Sequence, residues 1–431
     1  MTDGTGTTPD GTGTTPDGDG TTPRDDVTVV DVSPLSARDG FVDDGHGVAA
    51  HYGNPLGEQR QLARGTAVVD LSDRGVLTVT GPDRLTWLNS LTSQSLLGLA
   101  PGVSTETLLL DANGRLEHAA RVVDDGETTW LLVDRVEVGP LGGWLDRMRF
   151  MLRVEVADRT DDVATVGSMH DLVPGVVPVL TSHEVPLVWV DPWHEVATGG
   201  HSYAESDTHP GRDWSYRESL VLRSELERLA ELPAADLPLA GTLALEALRI
   251  EAWRPSLSTE VDERSIPHEL DWMRSAVHLT KGCYRGQETV AKVHNIGHPP
   301  RRLVMLHLDG SDGVLPAHGA EVVLAPAAGP TTPDASSTPD ASSADVTSGG
   351  AAPVTESAAP KSVGHVTSVA LHHELGPIAL AVVKRGTAED APLAVVVDDL
   401  MIAAAQQVVV PASAGAAAGV PRLPRLGAVR R

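Results

Sequence analysis

The residues best suited to chemistry lie in one short segment, KGCYRGQE, which spans residues 281–288 and is called the cysteine segment below. It holds Cys283, the only cysteine of the chain, between two glycines that allow close approach of another group. Lys281 and Arg285 add positive charge, and a helix predicted to begin near Gly286 would point its positive end at the sulfur. These effects favour the thiolate, so the segment predicts a reactive, partly exposed cysteine rather than a buried apolar one.

Two further segments carry charges that could face a ligand. EALRIEAWRP covers residues 246–255, where Glu246 and Arg249 have the spacing of an ordinary ion pair on a helix. DERSIPHEL covers residues 262–270 and is predicted to be a polar loop between two helices. The spacing alone therefore favours a structural role for the first pair.

Several chemistries lack a motif in this sequence. Although there are 17 histidines, no H-E-x-x-H occurs, and one cysteine cannot supply the several soft ligands of an iron–sulfur cluster or structural zinc. We therefore predict no metal site. Phosphate-binding glycine loops and the G-x-S-x-G elbow are also absent, which excludes common nucleotide-binding and serine hydrolase classes.

The composition of the chain limits the classes of partner that it can bind. A chain of 431 residues predicts two to three domains, and a net charge of −26 disfavours binding to nucleic-acid phosphates. The N-terminus has no pattern typical of a secretory signal, and no apolar run is long enough to span a membrane. We expect a cytoplasmic protein without direct nucleic-acid or membrane partners.

Low-complexity stretches and strand and helix patterns divide the chain. The repeat DGTGTTP contains nothing that can be buried, whereas VLTVT predicts a strand at 76–80, followed by a helix over 84–91. The strongest helix pattern covers 242–253, with Thr242 as its cap. The predicted regions are a disordered repeat tail at 1–27, a first α+β domain at 28–155, a second α+β domain with the cysteine segment at 156–298, a C-terminal β-barrel at 299–410 with a disordered insert at 326–360, and a flexible tail at 411–431.

The three polar segments together resemble the signature of the YgfZ family, which belongs to the superfamily of the glycine-cleavage aminomethyltransferase. In that family, a Lys-Gly-Cys-aromatic-x-Gly-Gln-Glu box follows an LRIEA-type helix and a DE…IP-E loop. The resemblance is dense over residues 241–295. It continues through HNIGHPPRRLVMLHLDG at 294–310 in a form similar to actinobacterial members.

The resemblance implies an α+β fold of two ferredoxin-like units and a small β-barrel, arranged as a ring around a folate site. It implies a protein that binds tetrahydrofolate or a derivative and supports iron–sulfur cluster assembly or repair, with an indirect effect on tRNA modification. The implied partners are folate and iron–sulfur enzymes or assembly factors. The family's motif residues map onto Cys283 and Lys281 as catalytic candidates. Residue types suited to pterin and glutamyl groups add ligand-binding candidates: Arg249, Glu251, Trp253, Arg285, Gln287 and Glu288.

One departure separates this chain from the aminomethyltransferase. That relative carries an Asp-Asp pair shortly after a Gly-Gly turn, whereas residues 113–120 read NGRLEHAA here, with Glu117 as the nearby carboxylate. The relative's form of the box also lacks the cysteine. Two alternatives stay open from the sequence: a folate-dependent one-carbon transferase, and a redox-sensing thiol protein with a vestigial folate site.

Overall fold

The chain forms two five-stranded sheets flanked by helices, followed by a six-stranded barrel. This computed structural model describes Met1 and residues 32–172, 175–204, 209–325 and 361–419. The predicted repeat tail after Met1, the predicted insert at 326–360 and residues 420–431 lie outside the described residues.

Seven α-helices and twenty strands are present in the described ranges. The helices are α1 (Pro55–Ala63), α2 (Arg84–Leu91), α3 (Val138–Met148), α4 (Leu226–Glu231), α5 (Thr242–Glu251), α6 (Leu257–Glu260) and α7 (Gln287–Ile296). The strands are β1 (Val42–Asp43), β2 (Ala49–His51), β3 (Val68–Asp70), β4 (Gly75–Thr80), β5 (Ser104–Leu110), β6 (Leu116–Asp124), β7 (Thr128–Val133), β8 (Glu155–Asp158), β9 (Val163–Ser168), β10 (Thr181–Ser182), β11 (Val185–Pro186), β12 (Val188–Val190), β13 (Arg217–Leu222), β14 (Leu239–Ala240), β15 (Arg301–Leu308), β16 (Glu321–Leu324), β17 (Ser362–His372), β18 (Gly376–Lys384), β19 (Leu393–Val397) and β20 (Leu400–Val408).

The first sheet is antiparallel, with strand order β5-β6-β7-β4-β8. Because side chains alternate along a strand, Leu131 and Val133 of β7 pack with residues of α2 and α3, and Leu132 joins a separate core on the other face. Every residue of β7 is buried. The sheet is therefore covered on both faces.

The second sheet has the order β12-β13-β9-β3-β14, and β14 pairs with β3 in parallel. Strand β3 precedes the whole first sheet in sequence, so the predicted boundary at residue 155 does not separate the two sheets. The reason is physical: a three-residue strand carries too little pattern to show its partner, and its place is decided by pairing with β9 and β14.

Helix α5 forms close to its predicted range, but its cap differs. Gly241 is the N-cap, and Thr242 is the first helical residue, whose hydroxyl donates to Asp44. A Cβ on Gly241 would lie 2.1 Å from the carbonyl oxygen of Ala50, so the close packing against β2 requires glycine at the cap.

The C-terminal strands close a barrel in the order β15-β18-β17-β16-β19-β20, which confirms the predicted barrel. Residues 411–419, predicted as part of a flexible tail, instead pack against the end of α7. Ala414 is buried and its carbonyl oxygen lies 2.7 Å from Nδ1 of His298. The fold is thus mixed α and β with a barrel, while the two ferredoxin-like units and the ring arrangement stay predictions.

No helix within the described ranges combines the length and apolar character needed to cross a bilayer.

Candidate functional site

The cysteine segment forms a loop that leads into α7. Cys283 is exposed, and the helix begins at Gln287 after Gly286, whose φ of +84° is a left-handed conformation. The predicted helix start near Gly286 is confirmed. The sulfur therefore belongs to a loop three residues ahead of a helix N-cap, on the surface of the protein.

Two glycines bring this loop against the hairpin between β5 and β6. A Cβ on Gly286 would lie 2.6 Å from the carbonyl oxygen of Asp111, and a Cβ on Gly114 would lie 2.9 Å from the Cβ of Thr289. Both positions exclude a larger residue, because the backbone of Asp111 and the side chain of Thr289 occupy the space that its side chain would need. The group that approaches the cysteine segment closely is thus the hairpin that carries Glu117.

Lys281 fixes the start of the loop to the end of α2. Its ammonium Nζ donates to the carbonyl oxygens of Asn89 at 2.7 Å, Thr92 at 2.7 Å and Gln94 at 2.5 Å. These bonds use all three N–H groups of the side chain. Burial lowers the pKa of Lys281 to about 8, so the ammonium stays largely charged at neutral pH. The geometry makes Lys281 an anchor for the cysteine segment.

The other polar residues of the segment are partly engaged. Arg285 Nη1 donates to Glu117 Oε2 at 2.7 Å across the hairpin contact, with both side chains more than a third exposed. Gln287 Nε2 donates to the carbonyl oxygen of Lys281 at 3.1 Å, and Glu288 is exposed. Both cations that adjoin Cys283 in sequence are therefore bound by other groups.

The ligand candidates on α5 lie in another environment. Each nitrogen of the buried Arg249 guanidinium donates within the protein, to partners that include Glu246, Glu260 and Ser368. Glu251 is 41% exposed and lies 3.2 Å from Nε2 of His372. The Glu246–Arg249 ion pair expected from the spacing is present, and it is one part of a network that reaches the barrel.

Trp253 completes this group at the end of α5. It is 2% exposed, and its indole N–H donates to the sulfur of Met305 at 3.2 Å. No hydrogen bond or ion pair among the described residues joins Arg249, Glu251 or Trp253 to the cysteine segment. The sequence candidates therefore form two separate groups, and their roles in ligand binding stay predictions.

A second buried ion network lies where the first sheet meets the chain after α5, and the sequence did not indicate it. Arg254 donates from Nε to Asp191 Oδ2 at 2.9 Å and from Nη2 to Glu106 Oε2 at 2.6 Å. The indoles of Trp193 and Trp272 lie over the guanidinium, with ring centroids 5.2 and 5.7 Å away. Glu106 is a buried acidic residue of β5, and no local sequence pattern marked it.

Two atoms of this network have no protein partner. Glu106 Oε1 and Arg254 Nη1 are both buried without a hydrogen bond, although the other atoms of the two groups are paired. Buried polar groups in native proteins are nearly always satisfied, by protein, water or ligand. An unpaired acceptor and an unpaired donor thus belong to two side chains that pair with each other, and two indole rings lie over the guanidinium.

Histidines pack along the buried side of α7. The hydroxyl of Tyr203 lies 2.9 Å from Nδ1 of His294, and Nε2 of His268 lies 3.0 Å from the carbonyl oxygen of Val290. Burial lowers the pKa of His268 to about 3 and also lowers the pKa values of His201 and His294. These side chains are therefore neutral at physiological pH and help to seat the helix that follows the cysteine segment.

Comparison with known proteins gives relatives of two kinds, and no protein-family profile matches the chain. This chain is 25% identical over 267 residues to the iron-sulfur cluster assembly factor IBA57 homolog, mitochondrial, of Neosartorya fischeri. The aligned region covers 55% of this chain and 56% of the fungal protein. The chain is 22% identical over 272 residues to an aminomethyltransferase of Herpetosiphon aurantiacus, which covers 62% of this chain and 73% of the relative. The chain thus matches little more than half the length of the fungal protein.

The fold has a counterpart among solved structures. The glycine cleavage system aminomethyltransferase T from Bartonella henselae superposes with a TM-score of 0.62 at 15% identity, covering 89% of this chain and 98% of that one. The chain therefore has the fold of an aminomethyltransferase T. Fold and relatives together support the superfamily predicted from the sequence, which includes aminomethyltransferases and IBA57-type proteins.

Proposed function

We propose that this protein is a folate-binding accessory protein of the YgfZ type, which supports the assembly or repair of iron–sulfur clusters. The observation that carries the proposal is the exposed Cys283 in an anchored loop, in a chain similar to IBA57-type assembly factors. A surface thiol can reach a second protein, whereas one cysteine alone cannot hold a cluster. Its iron–sulfur partner would supply the other ligands.

In this proposal, Cys283 supplies the thiol that contacts the partner. Lys281 positions the loop through its three hydrogen bonds to the end of α2. Arg285 and Glu117 tie the same loop to the β5–β6 hairpin. Gln287 and Glu288 stand at the first turn of α7, where they would border any molecule that approaches the thiol. The thiol is thus held on two sides while its own atoms stay accessible.

The unpaired atoms of Glu106 and Arg254 fit tetrahydrofolate or a derivative. A pterin ring has a donor edge that suits the free carboxylate oxygen and a carbonyl group that suits the free guanidinium nitrogen. The indoles of Trp193 and Trp272 lie against the same guanidinium and keep this network apolar around its unpaired atoms. Glu251, half exposed on α5, remains a further candidate, whereas Arg249 would have to exchange existing partners to bind a folate carboxylate.

Aminomethyl transfer is not proposed. The Asp-Asp pair that the aminomethyltransferase carries is absent from the β5–β6 hairpin of this chain. The nearby carboxylate, Glu117, is paired with Arg285. Cytoplasmic location and an indirect effect on tRNA modification, through a cluster-containing enzyme, belong to the proposal as its expected consequences.

The experiment is complementation of a strain that lacks this protein, read as the activity of iron–sulfur enzymes. The chain, its Cys283→Ser variant and a Thr280→Ser control are expressed at equal levels; Thr280 is an exposed neighbour of the cysteine segment. We expect Cys283→Ser to fold normally and to lose the restored activity, while Thr280→Ser keeps it. Full restoration by Cys283→Ser would refute the role of the thiol.

A further inference from the structure

A second exposed feature lies on the first sheet's helix layer, between α3 and β8. Phe150, Met151 and Leu152 are consecutive and are 81%, 98% and 42% exposed. The whole chain contains two phenylalanines, and one of them is on this turn. Single exposed apolar residues are ordinary, but three in a row on a protruding turn are not.

These three residues are called the Phe-Met-Leu turn below. Contacts on either side hold the turn in its exposed position. The turn closes with a hydrogen bond of 2.9 Å from the amide of Leu152 to the carbonyl oxygen of Arg149. After the turn, Arg153 makes two side-chain hydrogen bonds to Asp83, and the next residue, Val154, is buried. Phe150 has a φ of +46°, a conformation that bulky residues rarely adopt and that tends to mark functional positions.

The charge around the turn differs from that of the rest of the molecule. Residues 146–153 contain three arginines and one aspartate, in a chain with a net charge of −26. Arg149 is paired with Asp146, whereas no ion pair to the exposed Arg147 is found in the described part of the chain. Arg153 is paired with Asp83, so Arg147 supplies the positive charge beside the turn, and an acidic partner would be repelled less here than by the rest of the surface.

We propose that the Phe-Met-Leu turn is a docking site for a partner protein with an apolar groove bordered by carboxylates. Phe, Met and Arg are the residue types enriched at the centre of protein interfaces, where Lys, Glu and Asp are depleted. The rigidity of the turn also lowers the entropy lost on docking. The identity of the partner rests on the proposed function. The partner is an iron–sulfur enzyme or assembly protein, which approaches Cys283 while the Phe-Met-Leu turn holds it at a second point.

The first arm of the test is photocrosslinking in cells, with p-benzoylphenylalanine at position 151 and, as a control, at position 136. Val136 is 76% exposed, and its neighbours in sequence are the charged residues Arg135 and Glu137. We expect an adduct with an iron–sulfur or assembly protein from position 151, weakened by Arg147→Glu, and none from position 136. Adducts only with a second copy of this chain would overturn the proposal, as would binding to vesicles of phosphatidylcholine and phosphatidylglycerol without any protein adduct.

The second arm uses a Phe150→Ser, Met151→Ser, Leu152→Ser variant and a Val136→Ser control. The triple variant should bind the purified crosslinked partner about tenfold more weakly or worse, with the thermal midpoint and folate binding unchanged. Equal binding by both variants would contradict the docking site. The two proposals can fail separately. Failure of the unaltered chain to restore iron–sulfur enzyme activity in the complementation experiment would refute the proposed function. The binding measurement with the triple variant would still decide whether the turn is a docking site.

Discussion

The cysteine segment and the buried ion network around Arg254 use similar residues for opposite purposes. In the cysteine segment, the cations bind a helix end and an exposed carboxylate, and the thiol between them faces solvent. Around Arg254, two carboxylates and two indoles enclose the guanidinium, and side-chain exposure is 7% or less. One arrangement presents a reactive atom, and the other joins distant parts of the chain.

The difference shows that a charge-rich motif must be judged by its partners. Arg249 and Arg254 lie in the same LRIEAWRP stretch that carries the family resemblance, but their partners lie up to 148 residues away. A buried ion pair is costly to break because it leaves an unpaired charge in a poorly solvated place. An exposed pair is worth far less because water and salt screen it.

The largest effect is expected for Arg254→Met. It leaves Asp191 and Glu106 buried without their cation, and the loss should be about 3–5 kcal/mol in the free energy of unfolding. Urea denaturation measures it, with Arg264→Met as the control at an exposed arginine. Equal free energies of unfolding for the two variants would contradict the claim that the buried network around Arg254 matters more for stability than an exposed charge.

The next effect is expected for Lys281→Met. It removes three hydrogen bonds from a charged donor, so we expect a loss of about 1–3 kcal/mol. The loop should also loosen, and the rate at which iodoacetamide alkylates Cys283 should change. Lys292→Met, at an exposed lysine of α7, is the control. An unchanged alkylation rate would argue against positioning by Lys281.

The buried side of α7 gives a pH-dependent test. The pKa of His268 is about 3 in the folded chain, against 6.5 for an ordinary histidine, because burial disfavours its charged form. The unfolded chain therefore binds more protons between these values, and stability must fall as the pH drops below 6.5.

The expected loss is about 2 kcal/mol between pH 6.5 and pH 5 from this group. Urea denaturation of His268→Gln should show a weaker pH dependence over that range than the unaltered chain. His46→Gln, at an exposed histidine, is the control. Identical slopes for all three proteins would contradict the burial of a neutral His268.

The smallest effect is expected for the Arg285–Glu117 pair. Both side chains are more than a third exposed, so their coupling in a double-mutant cycle with alanine should be about 1 kcal/mol or less, and smaller in high salt. A coupling of several kcal/mol would mean that the cysteine segment resembles the buried network more than the contacts indicate.

Local pattern was sufficient for much of the fold. Helix α2 has the predicted bounds, and the barrel follows from apolar strands separated by turns. Pattern failed where long-range contact decides: β3 joins the second sheet, and Ala414 packs beside α7.

The candidate site divides in the same way. The loop, the exposed thiol and the helix start follow from the composition of KGCYRGQE and its glycines. The partners of its cations, and the Glu106–Arg254 contact, depend on residues that no spacing rule connects. The sequence thus indicated which segment matters, and the structure was needed to show which charges are already used.

Calorimetric titration of the purified chain with tetrahydrofolate tests the central claim most directly. We predict saturable binding to a single site, weakened at least about tenfold by Glu106→Gln, which alters the carboxylate with the unpaired oxygen. Absence of any heat of binding, confirmed by an unshifted thermal midpoint at saturating ligand, would contradict the account and favour a redox-sensing thiol protein.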